Sequence, residues 1–309
     1  MTSVSLAAPA ASRRRAIVLV ILLTLIWGLF WPIMKVALAE IPIFSYRALG
    51  AGLGAAGMFA LAKFDGLSLK VAPSDRWPLV FAGLLNVTGW FWLSAVGVSL
   101  MPAGRAALLA YTWPLWAFLI AMPVLGDRPT LGRVLGLLLG LGGIGVLASG
   151  SLQDIVRAPA GAAAIIAAAV VYAGGTVLQK RVAWRTPVLT LCAWQLLAGT
   201  VPLLFGALLD IRQVHAVSGA AWAATAYTII FGVIFGYYAW FKVIGMLSVA
   251  TLSLSTLLVP VIGVLSSALL LGERLGAREV LAMVLIAGAL TTVRPRRQTA
   301  LAPPQVGGG

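Results

Sequence analysis

The feature of this sequence that most constrains its fold is a succession of apolar stretches, each about as long as a lipid bilayer is thick, separated by short polar or Pro- and Gly-containing breaks. A helix needs about 20 apolar residues to cross about 30 Å of hydrocarbon. Stretches of this kind occupy residues 16–39, 43–62, 77–98, 103–125, 131–149, 160–182, 187–209, 218–243, 249–271 and 277–293. The sequence therefore predicts an all-α integral membrane protein with ten transmembrane helices.

The composition excludes the main soluble classes of protein. Charged residues make up only 10% of the chain, whereas a soluble domain has about 25%. The single cysteine, Cys192, excludes a disulfide scaffold. The net charge of +14 is spread among apolar runs, so it forms no continuous basic face of the kind that binds nucleic acid. We therefore expect a lipid bilayer around this chain and no nucleic-acid partner, and the oligomeric state stays open.

The basic residues indicate the orientation, because cytoplasmic loops of membrane proteins collect Lys and Arg. An N-terminus placed inside puts most basic loop residues on the cytoplasmic side: Arg13, Arg14, Arg15, Lys63, Lys70, Arg76, Arg128, Arg133, Lys180, Arg181, Arg185, Lys242, Arg294, Arg296 and Arg297. An even number of spans returns the C-terminus to the same side. Residues 1–15 are then a cytoplasmic tail, and the polar residues 294–309 a disordered cytoplasmic tail. The first span is longer than the apolar region of a signal peptide, about 7–15 residues, so we expect it to be retained.

An internal repeat organises the chain. Residues 103–146 align without a gap on residues 249–292, and the matched pairs are Pro114 with Pro260, Gly126 with Gly272, Asp127 with Glu273, Arg128 with Arg274, Val134 with Val280 and Gly142 with Gly288. This predicts a first five-helix repeat at 16–150, a linker at 151–159 and a second repeat at 160–293. Since five is odd, the second repeat enters the membrane inverted. Inverted repeats are typical of secondary transporters, which bind substrate in a central cavity between the repeats.

The placement of the acidic residues argues against an enzyme. The acids all lie in or beside predicted loops, as does the one histidine, His215: they are Glu40, Asp65, Asp75, Asp127, Asp154, Asp210, Glu273 and Glu279. Metal sites and catalytic sites need clustered His, Asp or Glu, so we expect no catalytic residue, metal or cofactor. Proton-coupled carriers use buried carboxylates or histidines as relays, so the pattern favours facilitated transport.

Aromatic residues near the middle of the spans provide a candidate binding site. They either line a cavity or pack between helices, and a cavity of this kind suits a small amphipathic substrate. The candidate substrate-binding residues are Trp27, Trp31, Lys35, Asn86, Trp90, Tyr111, Tyr172, Gln179 and Tyr237. Lys35 either pairs with a substrate carboxylate or extends to the outer headgroups. Arg47, in the first turn of the second helix, is expected to be structural and to pair with Glu40.

Two prolines at equivalent positions of the repeats are candidate hinges. Pro114 and Pro260 fall in the middle of the fourth and ninth spans, where proline removes a backbone hydrogen bond and kinks a helix. The kinks either allow one face of the protein to open while the other closes, or they only shape the bundle.

Short motifs make the chain resemble a known family, the EamA-type carriers of the drug/metabolite transporter superfamily. They are Trp27-Gly28 and Lys35 in the first span, Pro114 in the fourth, and the loop motifs Gly126-Asp127-Arg128 and Gly272-Glu273-Arg274. The resemblance covers about residues 16–293. It departs from the family at Asp127, where Glu is usual, although the charge is kept.

Within that superfamily the chain is most similar to the YddG-type exporters of aromatic and other neutral amino acids. The resemblance implies ten helices, a central cavity and a bacterial inner-membrane location. The function it predicts is amino-acid export by alternating access. Two alternatives stay open: efflux of drugs or other small amphipathic solutes, which would need a buried acid, and a lipid-modifying membrane enzyme, which would need a catalytic cluster.

Overall fold

The computed structural model describes residues 10–126, 131–149, 159–213, 215–244 and 249–292, and the regular structure within them is helical. The predicted C-terminal tail at 294–309, almost all of the linker at 151–159 and the pair Asp127-Arg128 lie outside the described residues. The predicted tail at 1–15 is described from Ala10 onward, and there it is already part of the first helix. That helix therefore begins before the apolar span does.

The helices follow the apolar stretches closely. In chain order they are α1 (Ala10–Leu38), α2 (Ile43–Phe64), α3 (Arg76–Gly83), α4 (Trp90–Leu100), α5 (Ala103–Ala110), α6 (Trp113–Leu125), α7 (Leu131–Ser149), α8 (Pro159–Arg181), α9 (Val188–Asp210), α10 (Gly219–Tyr227), α11 (Gly236–Ile244), α12 (Val249–Leu271) and α13 (Ala277–Thr292). Two π-helical segments, Leu84–Gly89 and Thr228–Phe235, join α3 to α4 and α10 to α11. Single 3₁₀ turns, Pro73–Asp75 and Ile211–Gln213, precede α3 and follow α9.

Six helical segments of the described chain are long and apolar enough to cross a membrane. They are Arg15–Leu38, Pro73–Leu100, Ala103–Leu125, Pro159–Arg181, Val188–Asp210 and Gly219–Val243. The chain is therefore a multi-pass helical membrane protein. The number of ten spans and the orientation of the termini stay predictions.

The two halves of the chain share their backbone irregularities. The π-helical segments fall at corresponding positions of the two halves. The glycines that follow α6 and α12, Gly126 and Gly272, both adopt left-handed backbone conformations, with φ of 68° and 65°. Only glycine takes this conformation without a steric penalty, and it commonly ends helices. The two halves of the chain thus share local backbone features.

Helix packing shows the same relation between the halves. The corresponding helices α2 and α9 pack along each other, and so do α7 and α13. The first helix, α1, packs on α12, while its counterpart α8 packs on α5 and α6. This exchange of partners is the pattern that a two-fold axis relating the halves produces, and it brings α1, α4, α6, α8 and α11 around the centre of the bundle.

The two repeat-equivalent prolines have different surroundings. Pro260 lies inside the continuous helix α12. Near Pro114 the helix is instead interrupted, because α5 ends at Ala110 and α6 begins after a turn at Tyr111 and Thr112. Pro114 is the second residue of α6, a position at which the missing N–H of proline costs nothing. The two prolines, at both of which a kink was expected, therefore differ: the fourth span is broken just before Pro114, whereas the helix continues through Pro260.

A close helix crossing supports the π-helical segment of the first half. The Thr88 hydroxyl donates to the Gly199 carbonyl at 2.8 Å. A Cβ placed on Gly83 would lie 2.8 Å from the Gln195 carbonyl oxygen and 3.2 Å from the Ala198 Cβ. Since the first of these atoms is backbone, it has little room to move, and the crossing of α3 and α9 requires glycine.

We therefore expect Gly83→Ala to reduce the free energy of unfolding by about 1–3 kcal/mol, the usual cost of overpacking. Gly50→Ala in α2 is the matched control, because a Cβ there meets no atom within 4 Å, and alanine is the better helix former. Thermal unfolding of both variants in the same detergent measures the difference. Equal midpoints would show that the crossing tolerates a side chain.

Candidate functional site

A cavity of about 350 Å³ lies at the centre of the bundle, where helices of both halves meet. Its walls contain the predicted residues Trp27, Trp31, Trp90, Tyr111, Tyr172, Gln179 and Tyr237. The other lining residues are Phe30, Met34, Arg47, Phe91, Ser94, Trp113, Pro114, Thr176, Gly232, Val233 and Trp240. The structure thus brings together seven of the nine residues that the sequence singled out, and it places two elsewhere.

Aromatic rings in mutual contact form one side of this cavity. Trp31 meets Trp90 edge-on with ring centroids 6.5 Å apart, and Trp90 lies 4.8 Å from Tyr172. Tyr172 in turn meets Trp113 edge-on at 5.2 Å. Offset and edge-to-face contacts are the favoured arrangements of aromatic pairs. The rings therefore hold one another in place and present a firm apolar surface.

Trp27 lies in α1, in the first half of the chain, and residues of the second half hold its ring in place. Its Nε1 donates to the Gly232 carbonyl at 3.1 Å, within the π-helical segment Thr228–Phe235. Its ring also contacts Trp240 at 5.6 Å. A Cβ at Gly236 would lie 2.6 Å from Trp27 Nε1, so the absence of a side chain there makes room for the indole. The irregular segment thereby positions one wall of the cavity.

Asn86 lies in a smaller adjoining cavity of about 130 Å³, which shares Tyr172, Gln179 and Tyr237 with the central one. The amide of Gln179 donates from Nε2 to Gln195 Oε1 at 3.0 Å. Asn86 is buried, and its Oδ1 has no hydrogen-bond partner within the described chain. The sequence therefore singled out a polar residue next to the central cavity, on the far side of Tyr172.

Lys35 lies away from both cavities, at one end of the bundle. Its Nζ donates to the Met101 carbonyl at 2.8 Å and lies 3.5 Å from Glu273 Oε1. The same carboxylate accepts from the backbone N–H groups of Ala103 and Gly104 at 2.7 and 3.0 Å. Carboxylates stabilise helix N-termini in this way. Lys35 therefore helps to hold α1, α5 and the loop after α12 together, and it lines neither of the two cavities.

Arg47 is a cavity-lining residue that the sequence interpretation did not include among the candidates. Its side chain is only 4% exposed and lines the central cavity. Its Nη2 lies 2.8 Å from the Met34 sulfur and 2.9 Å from the Ser94 hydroxyl, and the guanidinium lies 5.0 Å from the centroid of the Phe91 ring. Its position inside an apolar helix could have indicated this residue from the sequence, because a charged residue within a membrane span is a functional-site hypothesis by default.

The expected partner of Arg47 is engaged elsewhere. Glu40 accepts from the Ser218 backbone N–H at 2.6 Å and from the Ser218 hydroxyl at 2.7 Å. These hydrogen bonds hold the pKa of Glu40 below its usual value. Glu40 therefore links the α1–α2 loop to the start of α10, and the predicted Arg47–Glu40 pair is not formed.

At the end of the bundle that Lys35 occupies, which we call the closed end, the defining residues are Lys35, Gly104, Arg105, Glu273 and Glu279, and the last four line a separate cavity of about 210 Å³. Helix α5 is buried along almost its whole length, whereas most residues of α6 are at least partly exposed. Arg105 pairs with Glu279 at 2.9 Å. None of the five residues that define the closed end lines the central cavity.

The other end of the cavity is more open. Gln179, in the last turn of α8, lines the cavity and is also exposed. At this end Asp65, which follows α2, accepts from Lys242 Nζ at 2.8 Å and from the Tyr238 hydroxyl at 3.2 Å. The hydrogen bond from Lys242 lowers the pKa of Asp65. The cavity is thus accessible from the side of Gln179.

Known proteins are similar to this chain in sequence and in fold. The profile of the EamA-like transporter family matches the chain twice, at residues 14–149 and 159–294. The chain is 29% identical to "Aromatic amino acid exporter YddG" of Ancylobacter novellus over 76% of this chain and 85% of that protein. It is 28% identical to "Probable amino-acid metabolite efflux pump" of Salmonella typhimurium over 88% and 92% of the two chains. A solved crystal structure with 26% identity matches 90% of this chain and 96% of that one, with a TM-score of 0.64.

Proposed function

This chain belongs to the EamA-like transporter family, and on that premise we propose that it exports aromatic and other neutral amino acids by alternating access. The observation that carries the proposal is the central cavity, whose wall of Trp31, Trp90, Tyr172 and Trp113 fits a flat apolar side chain. Stacking on rigid aromatic rings binds such groups at little cost in conformational entropy. The relatives named as amino-acid exporters support the same substrate class.

The proposal places the closed end outside the cell and the open end in the cytoplasm of a bacterium. This follows the orientation that the basic loops predict, with ten spans and both termini inside the inner membrane. An exporter waiting for substrate in this state exposes its cavity to the cytoplasm. Gln179 and Trp113 then lie near the entrance, while Lys35 and Glu273 block the exit.

Switching access requires the helices on either side of the cavity to bend. We assign the pivots to the turn before Pro114 and to Pro260, at equivalent positions of the two repeats. Pro260 lacks the N–H that its continuous helix would use there, whereas Pro114 follows a break in the helix. Because the turn at Tyr111 and Thr112 already separates α5 from α6, the two helices can move independently of each other.

Transport in this proposal is facilitative. Among the described residues, the walls of the central cavity contain no Asp, Glu or His, and these are the side chains that proton-coupled carriers use as relays. The direction of net movement is then set by the amino-acid gradient alone.

Uptake of radiolabelled phenylalanine into proteoliposomes, with no pH or sodium gradient, tests the proposal. We expect saturable uptake that tryptophan and methionine compete, with protein-free liposomes as the control. Uptake that appears only with an imposed proton gradient would keep the substrate class and overturn facilitated transport. No uptake under either condition would contradict amino-acid export and favour efflux of other solutes.

A further inference from the structure

Among the described residues that line the central cavity, there is a positively charged side chain, that of Arg47, and no negatively charged one. We propose that Arg47 binds the carboxylate of the substrate and that the α-ammonium group is dispensable, so that the cavity also accepts aromatic carboxylates without an amino group. This inference rests on the proposed function of the cavity as the transport site. It extends the substrate class from amino acids to aromatic carboxylates in general.

Arg47 has unused hydrogen-bonding capacity. A guanidinium presents five N–H donors, yet the partners of Arg47 are one thioether and one hydroxyl, those of Met34 and Ser94. Its Nε is buried and has no hydrogen-bond partner within the described chain. Sulfur is a weak acceptor and neither partner is charged. A buried cation in this state is incompletely compensated, and a carboxylate is the group whose geometry matches two guanidinium donors at once.

The carboxylates of the described residues do not pair with Arg47. Every acid in the described part of the chain has a partner at an end of the bundle: Glu40 with Ser218, Asp65 with Lys242, Asp75 with Thr186, Asp210 with Ser45, Glu273 with Gly104, and Glu279 with Arg105. None of these acids lines the central cavity. The counter-charge for Arg47 therefore has to arrive with the substrate.

The cavity offers a charged partner to a carboxylate, in Arg47, but only neutral groups to an ammonium. The polar groups of the cavity besides Arg47 are neutral, so Thr176, whose hydroxyl donates to the Tyr172 carbonyl at 2.9 Å, offers an ammonium only a neutral acceptor oxygen. Gln179 donates from its amide Nε2 to Gln195 Oε1, so what remains for an ammonium is its neutral carbonyl oxygen. Such acceptors carry no full charge, so the ammonium forms no ion pair with the described cavity walls, whereas the carboxylate forms one with Arg47. Loss of the ammonium also removes the need to desolvate it.

A series of three ligands on the wild-type protein tests the proposal directly. Phenylalanine has both charged groups, 3-phenylpropionate has only the carboxylate, and phenethylamine has only the ammonium. Each is added outside proteoliposomes as a competitor of initial phenylalanine uptake. We expect 3-phenylpropionate to compete within about 10-fold of phenylalanine, and phenethylamine to need at least about 30-fold more, as expected for loss of a buried charged hydrogen-bonded pair.

Two variants then locate the source of this preference. Arg47→Met removes the charge and is expected to erase the advantage of 3-phenylpropionate over phenethylamine, whereas Arg47→Lys keeps the charge and part of the advantage. Thermal unfolding of each variant identifies a folding defect. If a variant is defective, the competition series on the wild-type protein remains the test of the proposal. Equal competition by 3-phenylpropionate and phenethylamine, or an unchanged preference in a folded Arg47→Met protein, would overturn the inference. Absence of phenylalanine uptake in wild-type protein is a different result, and contradicts the proposed function itself.

Discussion

Oxidation of a protein with Gly104→Cys and Ser267→Cys, in a Cys192→Ser background, is expected to abolish transport, and reduction to restore it. A Cβ at Gly104 lies 3.4 Å from the Ser267 Cβ, close to the Cβ separation of about 3.5–4.5 Å found in disulfides. The bond would join α5 to α12 at the closed end. Alternating access requires this contact to separate in every cycle, so a covalent link stops the cycle in the state described here.

The experiment compares phenylalanine uptake before and after oxidation, with mass spectrometry to establish that the bond has formed. Each single-cysteine variant in the Cys192→Ser background is the control, because neither can form the link. Removal of Cys192 leaves no other cysteine in the chain. A fully oxidised double variant that transports at the rate of its reduced form would show that α5 and α12 stay together during transport, contrary to the proposed mechanism.

The second large effect is expected at Trp90. Trp90→Ala removes the ring that connects Trp31 to Tyr172 and with it a surface on which the substrate stacks. An aromatic contact contributes about 0.5–1.5 kcal/mol beyond the area that it buries. With the buried area included, we expect the substrate concentration for half-maximal uptake to rise about 10- to 100-fold, which corresponds to about 1.4–2.7 kcal/mol.

Trp92→Ala is the matched control for this variant. Trp92 lies two residues further along α4, is 40% exposed and stacks on Phe44 at 5.7 Å, outside the cavity. It is the same residue type on another face of the same helix, so its loss should leave the half-maximal concentration for phenylalanine nearly unchanged. A similar change in both variants would mean that Trp90 acts through packing of α4 and not through contact with the substrate.

The family and the helices were predictable from the sequence because each depends on local patterns. The apolar stretch at 43–62 became α2, Ile43–Phe64, and the stretch at 77–98 lies within the helical segment Pro73–Leu100. The expected EamA-type membership is confirmed by the family profile. The π-helical segments were not predictable, since one additional residue in a helical turn leaves no mark in hydropathy or composition.

The charged residues of the candidate site depended on packing that the sequence does not reveal. Lys35 and Arg47 both lie near a helix end, and nothing in their spacing distinguishes a side chain that faces the bundle end from one that faces its centre. The structure places Lys35 at the closed end, where Glu273 attracts it, and Arg47 in the wall of the central cavity, apart from Glu40, which Ser218 engages. The aromatic residues were more predictable, since large rings near mid-span have few places other than the bundle interior.

The tryptophans of the cavity give the protein its own optical signal. Five of its eleven tryptophans, namely Trp27, Trp31, Trp90, Trp113 and Trp240, lie in the walls of the central cavity. Their fluorescence depends on the polarity of what they contact, and a ligand that displaces water from the cavity lowers that polarity. Intrinsic emission should therefore shift towards shorter wavelengths as the site fills, and occupancy becomes measurable in unlabelled protein, separately from the transport step.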